Sequence, residues 1–368
     1  MLSTRIGSWV DAGSISAARR QFLKSFGKLL VAPIVLRTSR VSGTGVADST
    51  RFTEIDGGAA APAGAPQYPT FFTGLNGISP YPVRPPWRVA GVDYRVGIND
   101  GVSLKDPTTI PPSVAERSGN NPIVLEIASD DVTLDGYDFT RGGWWQIRSN
   151  NHGNLKISNS RLQNFCIYMD KGPLTVEFCE VDGLGEAGET QFGCLAFLRT
   201  GVSSTWRYNW LRRAPNDFID LSTSDIDARF NLFDTMGYAT GAHADAIQFA
   251  GDGTANNIKI LFNTFVQTAI TEAGPSSFID LETQIGAGGQ MMNDPEVAYN
   301  TASNTVAGGK KGATFFRVAQ HVGAINNCFV HDNYADPRNM IAVITDRPLA
   351  GVGYRKTGNV LLTSGSAF

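Results

Sequence analysis

The stretch Ile258-Lys259-Ile260-Leu261-Phe262-Asn263-Thr264-Phe265 decides how this chain is read. It has the form apolar-x-apolar-x-x-Asn-x-apolar, and it returns as Arg229-Phe230-Asn231-Leu232-Phe233 and as Arg207-Tyr208-Asn209-Trp210-Leu211. Looser copies put Asn300, Asn327 and Asn359 at the same point, and earlier ones put Ser160 and Cys179 there. Successive anchors lie 19 to 37 residues apart, a variable repeat with a short minimum. A repeat of that period outranks any single-residue reading, because each unit is too small to bury its own apolar face and must stack on the next.

After each anchor comes a second strand that alternates apolar with polar. Its copies are Phe218-Ile219-Asp220-Leu221, Ala246-Ile247-Gln248-Phe249, Phe278-Ile279-Asp280-Leu281 and Phe315-Phe316-Arg317-Val318, with fainter ones at Ile167-Tyr168-Met169 and Ile341-Ala342-Val343. Period two predicts one buried face and one facing solvent. No helical periodicity intervenes. Short strands, a repeat near 20 residues at its minimum and one Asn per repeat together resemble the right-handed parallel β-helix of the pectate-lyase-like superfamily. The expected fold is thus all-β, a single right-handed parallel β-helix of about eight to nine rungs, with the asparagines stacked inside a tight turn. The competing architectures are an antiparallel sandwich and a propeller, in which the asparagines are ordinary turn residues; irregular spacing argues against propeller blades.

The 368 residues have a net charge of −3, very unevenly spread. Eight Lys/Arg and two Asp/Glu among residues 1–51 leave +6 there and −9 in the remainder. The acidic body carries no basic field for nucleic acid. Within the head, Ala18-Arg19-Arg20-Gln21-Phe22-Leu23-Lys24 and the apolar Ser25–Leu36 resemble a twin-arginine export signal. That resemblance implies the twin-arginine machinery as a partner and a periplasmic or extracellular destination. The expected organisation is a signal region 1–47, a Gly/Ala/Pro-rich linker and irregular cap 48–122, and the β-helix 123–368. No later segment has the 18 apolar residues a membrane helix needs, so no stable membrane insertion is expected, and a monomer is favoured. The four cysteines, Cys166, Cys179, Cys194 and Cys328, lack CxxC spacing and read as buried thiols.

If the second strands stack in register, one column runs Asp220, Gln248, Asp280, Arg317, and a parallel one runs Ser222, Ala250, Glu282, Ala319. A third runs Asp217, Asp245, Ser277, Thr314. In the resembled superfamily this strand and its leading loops line the substrate cleft. Stacked carboxylates repel unless a cation, a proton or a substrate compensates them. Asp280 beside Arg317 also fits an ordinary cross-strand ion pair. The string Gly241-Ala242-His243-Ala244-Asp245-Ala246-Ile247-Gln248 resembles His-x-Asp-x-Ile-Gln strings of secreted β-helix proteins, and His243 is either a base, a metal ligand or a turn cap.

The resemblance implies a polysaccharide ligand and, first, β-elimination from a uronate glycan. Arg317 and His243 are the candidate bases, with Asp245 and Asp220 beside them as catalytic candidates. Gln248, Asp217 and His321 are the candidate substrate contacts, and Asp220, Asp280 and Glu282 the candidate ligands of a Ca2+ that would neutralise the uronate. Asp220 and Asp280, two rungs or about 9.6 Å apart, also suit an inverting hydrolase. Uronate epimerisation and glycan binding without catalysis remain open. The Asn-Thr-Asp, Gly-His-Gly, Arg-Ile-Lys and Trp-Ile-Asp-His strings of named pectinolytic families are missing, so no catalytic residue carries over from them.

Overall fold

The computed structural model describes residues 61–75, 77, 79–188, 193–199, 201–249, 254–283, 291–306, 312–320, 324–346 and 353–368. Residues 1–60, which hold the twin-arginine string, and His321 lie outside the described residues.

The chain is a parallel β-helix. Each turn gives one strand to each of three long sheets: Ile226–Arg229, Leu232–Met236 and Ala244–Phe249 make one turn, and Ile258–Leu261, Thr264–Gln267 and Pro275–Thr283 make the next. Among the described residues, strands from Ile123 onward pair with their counterparts one turn on, and the long sheets have ten, nine and eight strands. A three-stranded sheet, Thr254–Asn256, Met291–Asn293 and Ala324–Asn326, extends one corner. Among the described strands of the long sheets, only the first pair of the ten-stranded sheet, Ala115–Ser118 on Ile123–Ile127, is antiparallel. No described helix is long and apolar enough to cross a membrane. The four cysteines are buried, and none of them is in a disulfide.

The recurring Asn string spans a corner rather than one strand. The residue before each Asn is left-handed, as at Tyr208, Phe230, Phe262 and Tyr299 with φ between 55° and 58°, a conformation bulky side chains normally avoid. Two stacks offset that cost. Inside the corner, Asn231 N and Nδ2 donate to Asn263 Oδ1 at 3.0 and 2.9 Å, and Asn263 N and Nδ2 donate to Asn300 Oδ1 at 2.9 and 3.2 Å. Outside it, the rings of Phe178, Tyr208, Phe230, Phe262 and Tyr299 stack at centroid distances of 4.6 to 5.3 Å.

The ladder continues from Asn300 to Asn333 and Asn359, not through Asn327. Asn327 belongs to a different corner, where its Nδ2 donates to Asp294 Oδ1 at 2.9 Å just as Asn257 donates to Asp225. Both corners turn on a left-handed residue, the one before the Asn in the ladder corner and Asp225, Asn257, Asp294 and Asn327 themselves in the other, and sequence spacing alone did not separate them.

Residues 61–99 run along the flank of the coil, over the aromatic stack. Trp87 meets Phe262, Tyr299 and Tyr334 edge to face, while Tyr68 Oη donates to Asp234 and Tyr81 Oη to Asp336, both at 2.6 Å. Asn99 Nδ2 reaches Asn159 Oδ1 at 2.7 Å. This segment seals the outer face of the aromatic corner, whose rings would otherwise form a long exposed apolar ridge.

Candidate functional site

The register of the ten-stranded sheet places the columns as the sequence spacing predicts. Asp220 pairs with Gln248, Gln248 with Asp280 and Asp280 with Arg317, and Asp245 pairs with Ser277 and Ser277 with Thr314. The column continues on the other side through Phe197 and Tyr168.

Period two fails in one respect. The face expected to be open to solvent is covered: Asp220 is 5% exposed, Gln248 6%, Asp217 1%, and Asp245 and Asp280 0%. The carboxylates therefore form a buried layer. The cations stand above it, with the side chains of His243 and Arg317 36% and 18% exposed.

Five ionisable groups converge here. His243 Nδ1 lies 2.9 Å from Asp245 Oδ2, and Arg317 Nη1 lies 3.6 Å from Asp280 Oδ2 and 3.3 Å from His243 Nε2. Arg317 Nη2 donates to Glu282 Oε1 at 3.1 Å. The backbone N–H of Asp245 donates to Asp217 Oδ1 at 2.7 Å, tying the third column to this cluster. Gln248 and Asp220 lie in neighbouring positions of the Asp280 column, one and two strands away. These contacts bring together His243, Asp245, Asp280, Glu282 and Arg317; Asp217 joins through the backbone.

Burial lifts the Asp280 carboxyl well above the usual range, and the nearby Asp245 and Glu282 add to it, against the pull of Arg317 and His243. Neither Asp280 oxygen accepts a hydrogen bond among the described residues. The Asp245 carboxylate raises His243 to about 9, with Asp280 adding to it, while burial and Arg317 work against the rise. The three acids Asp245, Asp280 and Glu282 face the His243 imidazole and the Arg317 guanidinium, and the raised Asp280 carboxyl brings the two signs closer to balance. A buried layer of acids is tolerated when its charges close in this way.

The proposed calcium ligands do not fit a calcium ion in this arrangement. Arg317 occupies both Asp280 and Glu282, and Asp220 stands two strands from Asp280. One donor atom each of His243, Asp245 and Asp280 lies within 4.8 Å of the others, yet Nδ1 is engaged by Asp245 and Nε2 by Arg317 and a serine. The fixed guanidinium does the work of a cation.

That serine is the residue the sequence did not reveal. Ala244 pairs with Pro275 and Asp245 with Ser277, so Ser276 is an extra residue in its strand, a β-bulge. The bulge turns Ser276 Oγ toward His243 Nε2, at 2.9 Å. Nothing in Pro275-Ser276-Ser277 signals this, because a bulge is a property of the pairing.

Comparison of the chain with protein-family models, with curated proteins and with solved structures gives no match.

Proposed function

We propose that this chain is an exported carbohydrate-active enzyme that cleaves a uronate-containing polysaccharide by β-elimination at the His243–Arg317 centre. The observation that carries the reading is the layering: His243 and Arg317 keep a path to solvent above the wholly buried Asp245 and Asp280, with Glu282 beside Arg317 at the same level. Such a surface receives an anion. The pectate-lyase-like likeness rests on the parallel coil and its Asn ladder, and the export reading on Arg19-Arg20 with Phe22, Leu23 and Lys24.

Arg317 pairs with the uronate carboxylate and so acidifies the neighbouring C–H. His243, once neutral, takes that proton on Nε2. The electron pair left on carbon forms a C=C bond as the C–O bond to the next sugar breaks. The leaving oxygen needs a proton, and the Ser276 hydroxyl is the group beside Nε2 that can pass one on. Asp245 holds His243 in place, and Glu282 holds Arg317.

Absorbance near 230 nm from unsaturated uronate tests the reading, with pectate, alginate and glycosaminoglycans each offered with and without a chelator. The expected result is absorbance that a chelator leaves unchanged and that His243→Asn abolishes. New reducing ends without absorbance would replace elimination by hydrolysis, a reading favoured by one observation: Asp280, its carboxyl raised well above the usual range, stands two strands from Asp220, about 9.6 Å at the usual strand spacing. Binding without either product would leave a glycan-binding protein.

A further inference from the structure

Ser276, His243 and Asp245 form a chain of contacts that elimination uses only to move protons. Ser276 Oγ is 2.9 Å from His243 Nε2, and Nδ1 of the same ring is 2.9 Å from Asp245 Oδ2. The order is hydroxyl, imidazole, buried carboxylate. The outer two members, Ser276 and His243, are partly exposed, and Asp245 is wholly buried. His243 just ahead of the strand Ala244–Phe249, Asp245 within it and Ser276 on the next strand supply the set, and the hydroxyl reaches it only because the bulge at Ser276 re-aims the side chain. A serine placed merely to satisfy an imidazole would need no such irregularity, since water serves a partly exposed nitrogen equally well.

We propose that Ser276 is a nucleophile, with His243 as its base and Asp245 as the positioning residue, and that this centre hydrolyses acyl esters on sugar hydroxyls. This goes beyond backbone cleavage and does not depend on it. Ser276 Oγ bonds to the ester carbonyl carbon as its proton passes to His243 Nε2. The ester C–O bond then breaks, and the sugar oxygen leaves with the proton from Nε2. Water next attacks the acyl-serine, giving a proton to Nε2; the acyl–Oγ bond breaks, the carboxylic acid departs and Ser276 takes the proton back. The net change is ester plus water to alcohol plus acid. Arg317, 3.3 Å from Nε2, offers N–H donors beside the carbon under attack, where the oxyanion develops.

The groups facing the imidazole are Asp245 from the strand His243 leads into, Ser276 and Asp280 from the next, and Arg317 from the one beyond. The acids outweigh the arginine, so the nitrogen becomes a free acceptor only as pH rises through about 9.

The full chain is treated with a fluorophosphonate probe and, separately, with 4-nitrophenyl acetate between pH 6 and 10. The expected result is a single phosphonyl adduct on the peptide carrying Ser276, forming faster as pH rises through about 9. Release of 4-nitrophenolate falls by about 100-fold or more in Ser276→Ala. Asp245→Asn moves the midpoint of the pH profile downward, because the carboxylate that holds the proton on the ring is gone, a shift that a purely structural role would not produce. Absence of an adduct on Ser276 in the unmodified protein, or unchanged ester hydrolysis in a folded Ser276→Ala, overturns the proposal. Ultraviolet absorbance on a fully de-esterified polyuronate reports elimination alone, so failure of either reading is visible without the other.

Discussion

Asp280 and Arg317 face each other across neighbouring strands, with Oδ2 and Nη1 3.6 Å apart, and the carboxyl is wholly buried while the guanidinium keeps a path to solvent. That spacing is long for a hydrogen-bonded pair, and Arg317 makes its closer contact with Glu282. The acid is therefore under-compensated, and its carboxyl is raised well above the usual range.

Replacing Asp280 by Asn should accordingly stabilise the protein. The folded state binds a proton on Asp280 that the unfolded chain has released above its ordinary carboxylate range, so the native acid costs stability that grows as pH rises. Asn keeps the shape and carries no charge. Urea unfolding at pH 9 should show Asp280→Asn more stable than the parent by on the order of 1 kcal/mol, with a smaller difference at pH 5. A variant less stable than the parent at pH 9 would show that the ionised carboxylate is well solvated or well paired.

The two raised histidines give a second pH signature of the same sign. His243 is raised by Asp245, and His331 is raised by its contacts with Asp332 at 2.8 Å and Glu296 at 3.2 Å against the opposing effect of burial; both reach about 9. A histidine with a raised folded value contributes stability that is complete below its unfolded value, about 6.5, and is lost as pH rises through about 9. Thermal unfolding should therefore show a Tm lower by roughly 2 °C or more at pH 9.5 than at pH 6.5. The doubly substituted His243→Asn, His331→Asn protein should have a flatter profile over that window; an equally steep one would assign the slope elsewhere.

Much of this architecture was legible in the chain, and the reason is periodicity. Asn209, Asn231, Asn263 and Asn300 sit at one point of each turn because an amide can both donate and accept along a stack, and the Asp220–Gln248–Asp280–Arg317 column follows from counting along the strands after them. What stayed hidden depends on relations across turns. Asn327 and Asn333 both follow a plausible apolar stretch, and only the route of the chain through the corner distinguishes them. Ser276 enters the site through a pairing irregularity, and Asp280 is buried by neighbours that alternation along one strand cannot report. The flank contacts of residues 61–99 pair Tyr68 with Asp234 and Tyr81 with Asp336, links of 166 and 255 residues that no local pattern encodes.

The Asn ladder makes a sharp stability prediction. Asn263 Nδ2 donates to Ala228 O and Asn300 Oδ1, while its Oδ1 accepts from the backbone and side chain of Asn231, all in a fully packed corner. Asn263→Ala orphans the backbone N–H of Asn231 and the carbonyl of Ala228 at once. The expected loss is about 3 to 5 kcal/mol, with Asn263→Asp costing as much or more because it places a charge in the stack. Denaturant unfolding measures it, and a loss under 1 kcal/mol would mean that water enters the corner and satisfies the freed groups.

Trp87 tests whether the flank segment holds the coil or merely lies on it. Its indole meets Phe262 at 6.1 Å, Tyr299 at 5.5 Å and Tyr334 at 5.1 Å, all near perpendicular, so one side chain bridges three successive turns. Trp87→Ala removes those contacts and opens a cavity, at a cost of about 3 to 5 kcal/mol if the segment unfolds together with the coil. The location of the loss matters as much as its size. Parallel turns stack as a nearly one-dimensional array in which each turn supports only its neighbours, so a segment tied to Asn159, Asp234 and Asp336 couples turns that would otherwise open independently. Hydrogen exchange on Trp87→Ala should therefore show faster exchange at the strands Thr301–Asn304 and Phe329–His331 as well as in residues 61–99. Faster exchange confined to residues 61–99, with an unchanged coil, would show that the segment is a passive cover.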